Sequence, residues 1–357
     1  MPLFHSVTLS RIFTVCQFVL FTSLFVVDSK AFAAGEKKDA DAAKLVAVAF
    51  WRNVFGDQEV EFRFRLESPR ALKGRVAWRY SIGTATVAAR EVEAAAGPDA
   101  PANFSVKLPV PPVKEGVILQ SRLTLTLFEA GQKKPAASFD REIWIFPRDP
   151  FVDRTEWLKK LKITLYDPAR TTGKLLEAAK IPFEELNNSA VLPDLKDGLL
   201  LIGEGVSFKE ERDLTDALTK LVEKGVVVFC LAPASGETAI PGLGGSTNGL
   251  GELTFRQDIA KKLDKRLDAD SWPPDGKVVA SSILVKRGED GTVIEIAPAA
   301  TGWTWVEARS EKGKGRLGIC GHAIMAKWEA GPTPRFLFAR LLEHLSDSDS
   351  DKPSKGE

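Results

Sequence analysis

Two cysteines and four polar residues at the ends of apolar runs are the candidates for chemistry in this chain: Cys230, Cys320, Asp167, Glu204, Ser235 and His322. The run Gly318-Ile319-Cys320-Gly321-His322 flanks a thiol with glycines, a setting in which a sharp strand-to-helix turn presents a nucleophile. The second glycine of such an elbow is replaced here by His322. Cys230 departs further, with Val228 in the first glycine position and Leu231-Ala232 following. A thiol with a pKa of about 8.5 stays protonated at neutral pH unless a base or a positive field activates it. No sequence-adjacent base accompanies either cysteine, so both are read as small buried hydrophobes, and Cys320 and His322 as structural.

Open α/β sheets take ligands at the carboxyl ends of their strands, which makes Asp167, Glu204, Ser235 and His322 the ligand-binding candidates. Each also has a structural reading. Asp167 precedes Pro168 and suits a turn or helix cap. Glu204, between Gly203 and Gly205, can approach a ligand or a neighbouring backbone amide. Ser235 before Gly236 is a common turn residue. Beyond the leader, only His322 and His344 remain of three histidines, without ligand spacing, so neither a metal nor a cofactor is expected. The glycine-rich stretch 241–251 lacks the Gly-Lys-Ser/Thr ending of a phosphate loop. With 49 basic against 48 acidic side chains and a net charge of +1, the chain has no basic field for nucleic acid.

Apolar runs at Ile163 to Tyr166, Leu199 to Gly203 and Val226 to Leu231 alternate with helix-permissive sequence and predict a parallel α/β sheet buried on both faces. Thr171 or Thr172 is expected to cap a helix through Lys180, and Ser207 to Lys224 and Arg256 to Leu267 to be helical, with Gly225 as a stop. Lys277 to Lys286 and Thr292 to Ile296 read as a hairpin, and Phe336 to Leu345 as the closing helix. From Leu45 to Phe146 the period becomes two, as in Glu59 to Leu66, Arg75 to Tyr80 and Arg122 to Leu127. About seven such strands predict an immunoglobulin-like β-sandwich with Trp51, Trp78 and Trp144 as core or edge aromatics. Pro147 and Pro150 end the last strand.

Residues 1–33 read as a signal peptide: Arg11, the apolar run Ile12 to Val27, and the small-residue site Ala31-Phe32-Ala33. A linker (34–44), the sandwich (45–148), the α/β domain (149–345) and a disordered tail (346–357) follow. The expected location is secreted or periplasmic, with no stable membrane insertion after cleavage.

The strand closing in Phe146-Pro147-Arg148, the later Leu165-Tyr166-Asp167-Pro168 and Leu199-Leu200-Leu201-Ile202-Gly203-Glu204-Gly205 resemble the accessory region of secreted bacterial glycoside hydrolases. There an immunoglobulin-like sandwich precedes a domain similar to class I glutamine amidotransferases, of the flavodoxin-like α/β kind. The catalytic barrel of those hydrolases is absent here. The amidotransferase resemblance implies a His-x-Glu base downstream of the cysteine, whereas this chain has Glu343-His344 in reversed order. The sequence thus favours a secreted non-catalytic binding or assembly module with a carbohydrate or protein partner. The alternative is a reworked hydrolase or amidotransferase-like enzyme around Cys320, His322 and Glu204.

Overall fold

Alternating side chains explain the first half of the molecule. The computed structural model describes residues 42–211, 214–234, 236–240, 250–268, 271–273, 283–287, 292–296, 303–310 and 314–347. The expected signal peptide, most of the linker and nearly all of the tail lie outside these residues.

Strands β1 (Lys44–Ala49), β2 (Asn53–Phe55), β3 (Gln58–Glu67), β4 (Leu72–Ile82), β5 (Ala85–Ala96), β6 (Ala102–Val110), β7 (Leu119–Glu129) and β8 (Pro135–Phe146) come first. They form a three-stranded sheet, β1-β3-β6, and a five-stranded sheet, β2-β8-β7-β4-β5. In β3, Val60, Phe62, Phe64 and Leu66 are buried while Glu59, Glu61 and Arg63 face water. These residues share one core with Val76, Trp78 and Tyr80 of β4 and Leu123, Leu125 and Leu127 of β7. Trp78 is buried, and the Trp51 ring meets Phe62 edge-on at 4.8 Å. Trp144 is partly buried beneath the Arg266 guanidinium. These three tryptophans therefore pack inward instead of forming a row of exposed rings.

The second half contains α1 (Thr155–Leu161), β9 (Ile163–Tyr166), α2 (Thr171–Ala178), β10 (Glu184–Leu186) and a 3-10 helix (Ser189–Asp194). Then follow β11 (Leu199–Ile202), α3 (Leu214–Glu223), β12 (Val227–Cys230), β13 (Gly236–Ile240), β14 (Leu250–Arg256) and α4 (Ile259–Leu263). The last elements are β15 (Ile283–Arg287), β16 (Thr292–Ile296), β17 (Trp305–Ser310), β18 (Arg316–Cys320) and α5 (Pro332–Ser346). Seven strands form one sheet in the order β10-β9-β11-β12-β18-β17-β14. The first five run parallel, β17 runs antiparallel to its neighbour β18, and β14, antiparallel to β17, returns to the direction of the first five. The sheet is thus mixed where a parallel one is expected from the sequence. Only residues 311–315 join β17 to β18, too short for the crossover that a parallel neighbour requires.

The uninterrupted apolar runs serve two cores. Leu199 and Leu201 enter the core with α1, α2, α4 and α5, whereas Leu200 and Ile202 enter the opposite one with α3. Phe229 likewise faces the first core, and Val228 and Cys230 the second. Residues 207–211 are not helical and α3 is described from Leu214, and only Ile259–Leu263 is helical among the residues expected at 256–267. Gly225 ends the α3 region with φ 95°, and its N–H donates to the Val222 carbonyl. β15 pairs antiparallel with β16, alongside β13 in a small separate sheet.

Phe146 at the end of β8 belongs to the α/β core, its ring centroid 4.7 Å from that of Phe336 on α5. Beside it, fully buried Asn53 donates through Nδ2 to the Arg266 carbonyl at 2.8 Å and to Thr333 Oγ1 at 3.0 Å. Arg52 pairs with Asp268 at the same seam. Strands β2 and β8 are thereby tied to α5 by both apolar and polar contacts.

Candidate functional site

Asp167 follows β9, and two turns of chain explain its geometry. Its backbone carbonyl accepts from Arg170 N–H at 2.9 Å, and Arg170 takes a left-handed conformation with φ 55°. Asp167 Oδ2 then accepts from Gly173 N–H at 2.8 Å, satisfying a donor in the first turn of α2. Neither Thr171 nor Thr172 is the N-cap. Arg170 occupies that position without a side-chain cap, and the acceptor comes from Asp167 upstream. Thr172 Oγ1 instead accepts from Glu204 N–H at 2.9 Å, linking α2 to the end of β11.

Gly203 permits this approach, because a Cβ there would lie 2.7 Å from Asp167 Oδ1. That oxygen is buried and has no hydrogen-bond partner among the described residues. The Glu204 carboxylate reaches the loop after β18, where Oε2 accepts from Met325 N–H at 2.7 Å and Oε1 from Ala326 N–H at 2.8 Å. Burial pushes its pKa up, and the amides of Ala326, Met325 and Ile324 counteract only part of that rise. Of the two sequence readings for Glu204, the structure places backbone amides, not open space, against its carboxylate.

His322 is buried and stacks on Trp272 at 6.1 Å with 12° between the rings. Neither ring nitrogen has a partner among the described residues. Burial lowers its pKa to about 4, so the imidazole is neutral near pH 7. The fully buried Cys320 thiol lies 4.0 Å from the His322 carbonyl. Burial is the main reason its pKa is pushed up to about 12, and the nearby Glu204 charge adds to the rise. Burial raises the Cys230 thiol as well. Both cysteines are free and buried, and neither thiol has the depressed pKa of a nucleophile.

The fold thus brings Asp167 and Glu204 together through the start of α2, and Glu204 together with the loop carrying His322. Ser235 lies outside the described residues. Glu307, which sequence reasoning passed over, forms a different cluster: its Oε2 lies 2.7 Å from His344 Nε2, and its Oε1 accepts from Arg309 Nε at 3.0 Å. The signal in the sequence was an acidic residue at a strand position between Val306 and Ala308, both of which are buried. His344 is therefore engaged with Glu307 through α5 and β17, not with Cys320. No group of three or more metal-ligating side chains occurs among the described residues. Among these residues no helix is long and apolar enough to cross a membrane.

No family model and no curated protein matches this chain. Its structural neighbours include the sporulation control protein Spo0M of Bacillus subtilis, at 14% identity over 33% of this chain and 55% of that one, with a TM-score of 0.24. A cycloisomaltooligosaccharide glucanotransferase of Paenibacillus sp. shares 9% identity over 53% of this chain and 28% of its own, with a TM-score of 0.25. A putative β-galactosidase of Bacteroides fragilis shares 4% identity over 55% and 30%, with a TM-score of 0.24. The chain spans about half the length of the first and less than a third of the other two. Glycoside hydrolase-family proteins are thus among weak, partial structural neighbours of a sheet-rich chain.

Proposed function

We propose that this chain is an exported, non-catalytic binding or assembly module, with carbohydrate or protein as its partner. In this reading an immunoglobulin-like sandwich and an amidotransferase-like α/β body act as one rigid platform. The observation that carries the non-catalytic part is the use made of the strand-end groups. The Glu204 carboxylate receives two backbone N–H donors, Asp167 caps α2, and the Cys320 thiol is buried and protonated. A nucleophile needs an accessible, activated atom and an oriented base, and this arrangement supplies neither. The order of the five parallel strands, 2-1-3-4-5 in chain sequence, supports the doubly wound reading of the second half. The buried seam at Phe146, Phe336, Asn53 and Thr333 supports rigidity. The enzyme alternative has no matching observation at Cys320.

Thiol alkylation in native and unfolded protein tests the proposal. Both Cys230 and Cys320 are expected to resist labelling at neutral pH until the chain unfolds. Fast native labelling of Cys320 alone, abolished by His322→Ala, would restore the enzyme. Export is tested by the intact mass of protein recovered outside the cytoplasm, expected to begin at Ala34; a species retaining residues 1–27 would instead establish an anchored protein.

A further inference from the structure

The sheet has a second end, and the seven-stranded layer carries a hollow of about 570 Å³ at the amino-terminal side of β9 and β10. That volume falls within the roughly 300–1,000 Å³ of small-molecule sites. It lies opposite the strand ends that hold Asp167 and Glu204. A close approach between two turns lies at its edge. Lys162 ends α1 in a left-handed conformation with φ 47°. Gly198 has φ 89°, and a Cβ on it would lie 2.6 Å from the Lys162 carbonyl. Lys162 Nζ also pairs with Asp197 at 2.5 Å, so the turns entering β9 and β11 are clamped together.

The lining combines an apolar floor with charges of both signs. Leu158 and Ile163 are buried beneath it, and Phe183 and Leu195 are partly exposed. Glu184, Asp194 and Lys196 also line it, are exposed, and make no ion pair among the described residues. Lys162 pairs with Asp197, and Lys159, which also lines the hollow, pairs with Glu156 at 2.8 Å, so the groups left to meet a ligand are two carboxylates, one ammonium and an apolar surface. A simple cation would meet Lys196, a simple anion would meet Glu184 and Asp194, and an uncharged apolar molecule would leave all three groups partly desolvated. A molecule with an ammonium, a carboxylate and an aliphatic body satisfies every one of them.

We propose that this hollow binds a small zwitterion with an apolar body, the chemistry of a short apolar peptide with free termini. The ammonium meets Glu184 and Asp194, the carboxylate meets Lys196, and the side chains lie on Phe183 and Leu195. This site is independent of the groups at the carboxyl ends of the strands, whose role the alkylation experiment decides separately.

The test is titration of the isotopically labelled full chain with the dipeptide Leu-Leu, followed by NMR. Saturable shifts are expected at Phe183, Glu184 and Leu195. Leu-Leu acetylated at its amino end and amidated at its carboxyl end is expected to bind at least tenfold more weakly, as loss of charge-assisted hydrogen bonds implies. Glu184→Gln combined with Asp194→Asn, and separately Lys196→Gln, should each weaken Leu-Leu binding roughly tenfold. These exposed substitutions should leave the melting temperature of the unliganded protein unchanged, which separates lost binding from lost folding. Equal binding of free and capped peptides would overturn the zwitterion proposal, as would shifts confined to other surfaces. Absence of saturable binding at millimolar peptide would overturn the site itself.

Discussion

Replacing Glu307 by Gln should destabilise the protein in a manner set by pH. Glu307 lies on β17 with 4% of its surface exposed, and its carboxylate meets His344, Arg309 and the Trp305 indole N–H. Burial alone would push this carboxyl up, but the hydrogen bond from His344 and the charge beside Arg309 outweigh it and hold the pKa at about 2 instead of 4.5. A carboxyl depressed in the folded state contributes stability that is complete above its unfolded pKa and is lost as pH falls through the folded value. At about 1.4 kcal/mol per pH unit, the separation corresponds to about 3 kcal/mol near pH 7. Glutamine keeps the shape but cannot ionise, so Glu307→Gln should cost about 3 kcal/mol at pH 7, roughly half of that at pH 3, and little below pH 2. Urea denaturation of both proteins from pH 7 to pH 3, read by tryptophan fluorescence, measures the difference and cancels the titration of unrelated groups. A cost below about 0.5 kcal/mol at pH 7, or one that stays constant down to pH 3, would refute the assignment of an ionised, partnered Glu307.

Glu204→Gln should cost about 1–3 kcal/mol, because one amide oxygen cannot serve both Met325 and Ala326 and the side-chain NH₂ opposes an N–H donor. Hydrogen exchange at these two amides should accelerate, and unchanged exchange would show that the loop holds itself. Gly203→Ala should destabilise by more than about 2 kcal/mol, since its Cβ would meet Asp167, whereas Gly205→Ala faces open space and pays only about 1–2 kcal/mol for its φ of 85°. Equal melting temperatures for the two variants would argue against close packing at Asp167. His322 titrates at about 4 in the fold against 6.5 outside it, so its neutral burial contributes stability above pH 6.5 that is lost as pH falls through 4. His322→Phe keeps a ring on Trp272 and should remove about 3 kcal/mol of acid sensitivity across that window; a variant as acid-sensitive as the parent would contradict it. A chain truncated to residues 149–345 loses Phe146 against Phe336 and Asn53 against Thr333, and should melt below the full chain in calorimetry; equal melting would show that the seam contributes nothing.

Local pattern made much of the architecture legible. Glu59 to Leu66 alternates because one face of β3 meets a core and the other meets water, and Leu199 to Ile202 does not alternate because β11 has a core on each face. Gly225 marked the end of α3 because a left-handed residue at that place favours glycine. Other features are not read by the apolar period. The antiparallel direction of β17 follows from its short connection to β18. The sequence could nominate Asp167, Glu204 and His322 as strand-end residues, but not distinguish a ligand contact from a structural one. Which atom a carboxylate meets is settled in three dimensions: the amides waiting for Glu204 lie 121 and 122 residues along the chain. The pairing of Glu307 with His344 spans 37 residues and likewise required β17 and α5 to be packed together. Residue type and spacing determine which faces become buried, because hydrophobic burial reads a local period. Only the tertiary structure decided whether each polar group at those faces was satisfied by the protein's own backbone, because hydrogen bonding reads position and direction in space.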